Sequence, residues 1–247
     1  MTALVILFAA AFWAGIQNAL AGGGTFITLP ALMLTGMSAL AANITSTVAL
    51  FPGQITSSWG GREHVSGVAG LSFLTLVIIS LLGGIVGAIL LLVTPSGIFT
   101  ALVPWLVLFA TVVFAWGSFM PRHAEKPPAL NRTGAGIAQF CISVYGGYFG
   151  GGIGFLMLAA LTAAGLSIRN AGATKNVLAG VMNASAVAIF IFSPQVHWLQ
   201  AAVACAGAAI GGIIGGSMVS RVNQKVLRGL VVAIGVILTV GLFLRAP

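Results

Sequence analysis

The sequence predicts an all-α polytopic integral membrane protein made of two inverted repeats, each with a Gly-broken first element and five membrane segments. Three observations lead there. Hydrophobic residues form 59% of the chain and charged residues 5%, far below the roughly 25% charge that covers a soluble domain. The chain also matches itself: Gly22-Gly23-Gly24 recurs as Gly150-Gly151-Gly152, and Gly83-Gly84 with Gly87 recurs as Gly211-Gly212 with Gly215, at one constant spacing. Between these anchors the register slips by one residue, so Gly36, Ser38, Ala42, Thr45 and Val48 fall on Gly165, Ser167, Ala171, Thr174 and Val177. Third, the basic residues gather on one membrane face only under a particular count of crossings, given below.

The first element, Thr2 to Gly36, is one apolar stretch. As a single helix it would measure roughly 50 Å against a hydrocarbon core of about 30 Å. It is expected to break at Gly22-Gly23-Gly24, where glycine permits conformations that helices exclude, and Pro30 weakens the half that follows. No Lys or Arg precedes the apolar run, so despite an A-x-A-like Ala19-Leu20-Ala21 it reads as the first membrane segment and not as a secretory signal. The second repeat does the same over Thr133 to Gly165, with breaks expected at Gly146-Gly147 and Gly150-Gly151-Gly152. Plain spans follow near residues 39–60, 67–93 and 97–120, then near 174–193, 199–219 and 229–245. The repeats therefore occupy 1–120 and 133–247, joined by a polar linker at 121–132 that leaves no room for a soluble domain.

The orientation follows from the ten Lys and Arg. If each broken element crosses once, the basic residues divide evenly between the faces. If each folds as a helix and a returning half-helix, then Arg62, Arg122, Lys126, Arg132, Arg169, Lys175, Arg221, Lys225 and Arg228 share one face and only Arg245 lies opposite. The positive-inside rule selects the second arrangement. It gives each repeat an odd number of segments, inverts the two copies, and places both termini outside the cytoplasm.

The net charge of +8 then reflects orientation signals in short loops and does not point to nucleic acid. Cys141 and Cys205 lie in separate apolar segments without a CxxC or a nearby His, and read as packing residues. Glu63 and Glu125 are the only carboxylates in the chain and fall in loops, so no acidic proton relay crosses the membrane. His64, His123 and His197 fall in loops too. No HExxH, P-loop, dinucleotide fingerprint or base within reach of Ser46, Ser143 or Ser185 can be found, so neither an enzyme nor a cofactor or metal site is expected. The Gly83/Gly87, Gly207/Gly211 and Gly211/Gly215 pairs are GxxxG spacings that read as close helix packing.

A glycine-rich break within hydrocarbon frees backbone N–H and C=O groups that only protein or a wet cavity can satisfy. Two symmetry-related breaks mark an expected substrate site at Gly22, Gly23, Gly24 and Thr25 and at Gly150, Gly151 and Gly152. The half-helices starting near Thr25 and Ile153 would aim free N–H groups and a positive partial charge at an anion; the alternative is that the glycines only let helices pack closely. Thr45, Ser46 and Thr47 align with Thr174, Lys175 and Asn176, a set of hydroxyl, ammonium and amide donors suited to an oxyanion. Lys175 could instead snorkel to headgroups from the start of its helix. Gln54 aligns with Asn183 midway through its span, either to hold substrate or to bond a neighbouring helix. Gln17, Asn18, Tyr145 and Tyr148 flank the breaks as weaker candidates.

The order of these elements resembles the sulfite exporter TauE/SafE family of permeases. The resemblance rests on Ala21-Gly22-Gly23-Gly24 through Pro30 to Ala42 and Thr45, on Gly150-Gly151-Gly152 through Ala171 and Thr174, and on the GGxxG at Gly83–Gly87 and Gly211–Gly215. It implies passage of small sulfur-containing or carboxylate anions across a bacterial inner membrane. Leu158 stands where the family pattern puts a proline opposite Pro30. The expectation is therefore a secondary transporter exporting or passing small organic or inorganic anions such as sulfite or sulfonates by alternating access, with an anion channel or a non-transporting scaffold subunit as alternatives. Its partners would be the small anionic substrate and the lipid bilayer, with no nucleic acid; a homo-oligomer is left open.

Overall fold

The computed structural model describes residues 2–20, 23–59, 62–119, 129–218 and 224–245. They form ten α-helices: α1 (Thr2–Leu20), α2 (Thr25–Met33), α3 (Ala39–Trp59), α4 (Phe73–Val93), α5 (Ser96–Phe119), α6 (Arg132–Tyr148), α7 (Ile153–Ala163), α8 (Ile168–Phe190), α9 (Trp198–Met218) and α10 (Gln224–Arg245), with a 3-10 turn at Arg62–His64. No strand is present among the described residues.

Both expected breaks exist, and the half-helices α2 and α7 start at Thr25 and Ile153. The Gly146-Gly147 break does not. α6 runs unbroken through both glycines to Tyr148, because their missing side chains serve packing: a Cβ on Gly146 would strike the Met182 thioether, and one on Gly147 would strike the backbone of Gly84. Pro30 lies inside α2, which ends at Met33, whereas α7 carries Leu158 at the corresponding place and runs on to Ala163.

Helix starts differ from the expectation where side-chain caps set them. α4 begins at Phe73, not 67, since the apolar residues before it make a tight turn in which Val68 and Leu71 exchange backbone hydrogen bonds, with Ala69 at φ 51° and Gly70 at φ 78°. The Ser72 hydroxyl then caps the helix by accepting from the Thr75 amide. α8 begins at Ile168, not 174, with the Ser167 hydroxyl accepting from the Asn170 amide. Of the expected linker, 121–128 lies outside the described residues, while the Asn131 side chain accepts from the Gly134 amide to cap α6.

Among the described residues four helical segments are long and apolar enough to cross a membrane: Phe73–Val93, Ser96–Trp116, Ile168–Phe190 and Trp198–Gly215. Four of the six plain spans expected from sequence are among them, and the described apolar part of α10 is the shorter Val232–Leu244. α3 is the instructive case. Its Asn43, Thr45, Ser46, Thr47 and Gln54 make it polar, and the protein tolerates this because residues 39–46 are all buried inside the bundle. The outer helices do the reverse and expose Leu74, Ile78, Leu81 and Ile89 of α4 and Trp105, Val112 and Trp116 of α5, a surface suited to lipid.

The glycine pairs dock the helices. α1 runs parallel to α9, with Gly211 against the Phe12 carbonyl and Gly207 against Phe8. α6 runs parallel to α4, with Gly83 against the Phe140 carbonyl and Gly87 against that of Val144. Gly83 and Gly211 are repeat equivalents, and so are Phe140 and Phe12. The two crossings, α1 on α9 and α6 on α4, thus use the same kind of contact, a helix glycine against a neighbouring carbonyl. Two further pairs run antiparallel: α5 with α10, through Trp105 on Phe243 and Thr111 on Gly235, and α3 with α8, described next. Leu7, Phe26, Leu32, Ile44, Phe99, Phe114, Phe149 and Phe190 fill the space between them.

Candidate functional site

α3 and α8 form the polar spine of the protein. Halfway along, the Asn183 amide donates to the Gln54 Oε1 at 2.6 Å. Toward one end, the hydroxyl of Thr45, near the start of α3, accepts from the His197 amide after the end of α8 at 3.2 Å. Toward the other, the hydroxyl of Thr174, near the start of α8, accepts from the Ser66 amide after the end of α3 at 3.1 Å and faces the Ser66 carbonyl at 3.4 Å. These three contacts fix the pair as antiparallel.

The two breaks hang on this spine. Gly23 adopts φ 83°, its carbonyl accepts from the Gln17 amide at 3.2 Å, and Gly24 sits against Ala14 and Asn18 of α1. Thr25 opens α2, and one turn on the Thr28 hydroxyl bonds both the Gly24 carbonyl and the Ser46 hydroxyl, the latter at 2.6 Å. In the second break Gly150 and Gly152 adopt φ 78° and 75°, Gly151 lies under the Phe149 ring, and Gly152 faces Ala110 of α5. Gly22 lies outside the described residues.

At the start of α7 the amides of Phe155 and Leu156 fold back on the Gly152 carbonyl. Those of Ile153 and Gly154 have no backbone partner among the described residues, as the first turn of any helix leaves them. The Lys175 ammonium lies there: a Cβ placed on Gly154 would stand 3.5 Å from its Nζ. Because α8 starts at Ile168, Lys175 sits two turns inside the helix and not at its start. Asn176 beside it is half-buried and makes an interaction of its own.

Two clefts border the connections that follow α3 and α8. One, of about 570 Å³, is lined by Ala69, Ala129, Leu130, Asn131, Arg132 and Ala164. The other, of about 350 Å³, is lined by Leu40, Leu92, Ile189, Phe192 and Ser193–Gln195. Neither is lined by a residue expected to bind substrate, although Arg132, one of the orienting basic residues, borders the first.

The sequence profile described as "Sulfite exporter TauE/SafE" matches residues 7–242. The chain belongs to this family. It is 28% identical over 242 residues to a probable membrane transporter protein of Haemophilus influenzae, covering 96% of this chain and 92% of the relative. It is 29% identical over 245 residues to the probable membrane transporter protein ORF9 of Sinorhizobium sp, covering 97% and 92%. It is 29% identical over 243 residues to the probable membrane transporter protein YfcA of Escherichia coli K12, covering 96% and 88%. A TauE/SafE member with these apolar helices is a membrane transporter, not an enzyme.

The structure sorts this TauE/SafE chain's expected site residues into two sets. Thr45, Ser46, Gln54, Thr174 and Asn183 all use polar groups on other parts of the protein. Lys175 instead places its ammonium beside Gly154 in the first turn of α7. Sequence reasoning missed Asn43, which is 1% exposed. Its amide donates to the Tyr148 carbonyl at the end of α6 at 3.1 Å, while its Oδ1 has no partner among the described residues. An Asn three residues before Ser46 on the same helix was the available signal, since residues at that spacing share a face. Sequence reasoning also missed Gln139, whose amide spans α6 and α4 to Ser80 at 2.8 Å.

Proposed function

We propose that this chain is a permease that exports or passes small organic or inorganic anions, such as sulfite or sulfonates, across a bacterial inner membrane by alternating access. The anion would be held between Lys175 and the amides of Ile153 and Gly154. The observation that carries this reading is the placement of Lys175. A cation set against the start of a helix faces the positive end of the helix dipole, an arrangement that is unfavourable when empty and favourable around an oxyanion. No described helix contributes a carboxylate to neutralise it, since Glu63 lies in the 3-10 turn and Glu125 is the only other acid in the chain. Gly23, Gly24, Thr25, Gly150, Gly151 and Gly152 would shape the break region beside it, with Thr45, Ser46, Gln54, Thr174, Asn176 and Asn183 as its polar frame.

The two halves are read as inverted repeats of five segments, with both termini periplasmic. Support comes from the antiparallel pairing of the equivalent helices α3 with α8 and α5 with α10, as inversion requires. Rocking of one half against the other would alternate access. With the cell interior negative, moving one anionic charge outward releases about 2.3 kcal/mol per 100 mV, enough to drive export without a coupled proton.

The test is exchange in liposomes holding the purified protein. Efflux of labelled sulfite or a labelled sulfonate should saturate and should accelerate when the unlabelled anion is added outside. Flux that rises linearly without such acceleration would mean a channel, and no flux of any anion from folded protein would favour a scaffold role.

A further inference from the structure

We propose that Thr45 and Thr174 are a matched pair of latches, each closing one face of the protein by holding the connection of the opposite half. The proposal rests on the carrier reading above and adds the parts that would alternate. The two threonines are equivalent in the internal repeat, and both are fully buried. Among the described residues neither hydroxyl bonds within its own half. Thr45 of the first half accepts from His197, in the connection between α8 and α9. Thr174 of the second half accepts from Ser66, in the connection between α3 and α4. Because α3 and α8 are antiparallel, the two latches stand at opposite ends of the spine.

Each latched connection also borders a cleft. Ala69, in the connection that Thr174 holds, lines the 570 Å³ cleft, and Ser193–Gln195, in the connection that Thr45 holds, line the 350 Å³ one. The smaller cleft also meets the spine itself, at Leu40 of α3 and Ile189 of α8. Breaking one bond frees the connection at one end alone, which is the asymmetry that alternating access needs. A part-buried amide that loses its acceptor gains by turning to water, so each bond favours the closed position of its own end.

The experiment measures maleimide labelling of two reporter cysteines, Val65→Cys and Gln195→Cys, separately, in full-length protein in nanodiscs with Cys141 and Cys205 changed to Ser and no anion added. Thr174→Val should speed labelling at position 65 about fivefold while position 195 changes by less than about twofold, the effect of losing one hydrogen bond. Thr45→Val should do the converse, and Thr→Ser at either site should leave both rates as they were. Ser66→Pro and His197→Pro delete the same bonds from the donor side and leave both threonines in place, and should reproduce the respective shifts. Equal acceleration of both reporters by any one variant, or none by any, would overturn the proposal. Since no anion is present, that failure is distinct from a failure of the transport reading, which the exchange assay reports.

Discussion

Asn183 donates to Gln54 at 2.6 Å, and the internal repeat makes these two residues equivalents of one another. Of the two roles open to these amides, the structure shows the bond between helices. Asn183 is 4% exposed, so changing Gln54 to Leu strands a buried amide. Each single Leu variant should lose about 1–3 kcal/mol of stability. The double variant should lose less than the sum of the two. Thermal unfolding in detergent measures all three, and strict additivity would show that the bond carries no energy.

The glycines at the helix crossings make a sharper prediction. An alanine at Gly211 would drive its methyl into the Phe12 carbonyl, and one at Gly83 would press on Phe140 and Ser143. Each should cost about 1–3 kcal/mol through forced separation of the helices. At Gly172 in α8 an added methyl would meet nothing within 4 Å, so Gly172→Ala should be neutral or gain about 0.5–1 kcal/mol from helix propensity. Melting temperatures of the three variants, compared side by side, check the contrast.

The topology is testable without any substrate. A reporter fused after Pro247 should be active if it works only outside the cytoplasm and silent if it works only inside it, and a fusion in the linker near Lys126 should behave the opposite way. Activity of both fusions on the same side would remove the inverted arrangement.

These contacts also show what could be read from sequence. The two breaks and the starts of their half-helices at Thr25 and Ile153 were legible, because glycine runs in apolar sequence leave a helix few ways to continue. Gly146-Gly147 was misread as a break, because a glycine that releases the backbone and one that admits a neighbouring helix look alike until Met182 and Gly84 are in place. The start of α4 was placed too early because Val68 and Leu71 are as apolar as the helix that follows, although they form a turn. Thr45 and Thr174 were recognised as a pair, but their partners His197 and Ser66 lie far along the chain and no local pattern names them. Lys175 was legible as a candidate, and its position against Gly154 was not.

The central claim is that Lys175, facing the start of α7, holds the anion. Efflux of labelled sulfite from liposomes under a fixed membrane potential, measured for the unaltered protein and for Lys175→Met in equal folded amounts, tests it most directly. The account predicts saturable, voltage-dependent flux that falls at least about tenfold in Lys175→Met, since a charge-assisted contact is worth roughly 1.5–3 kcal/mol. Unchanged flux and unchanged half-saturation in Lys175→Met would contradict it.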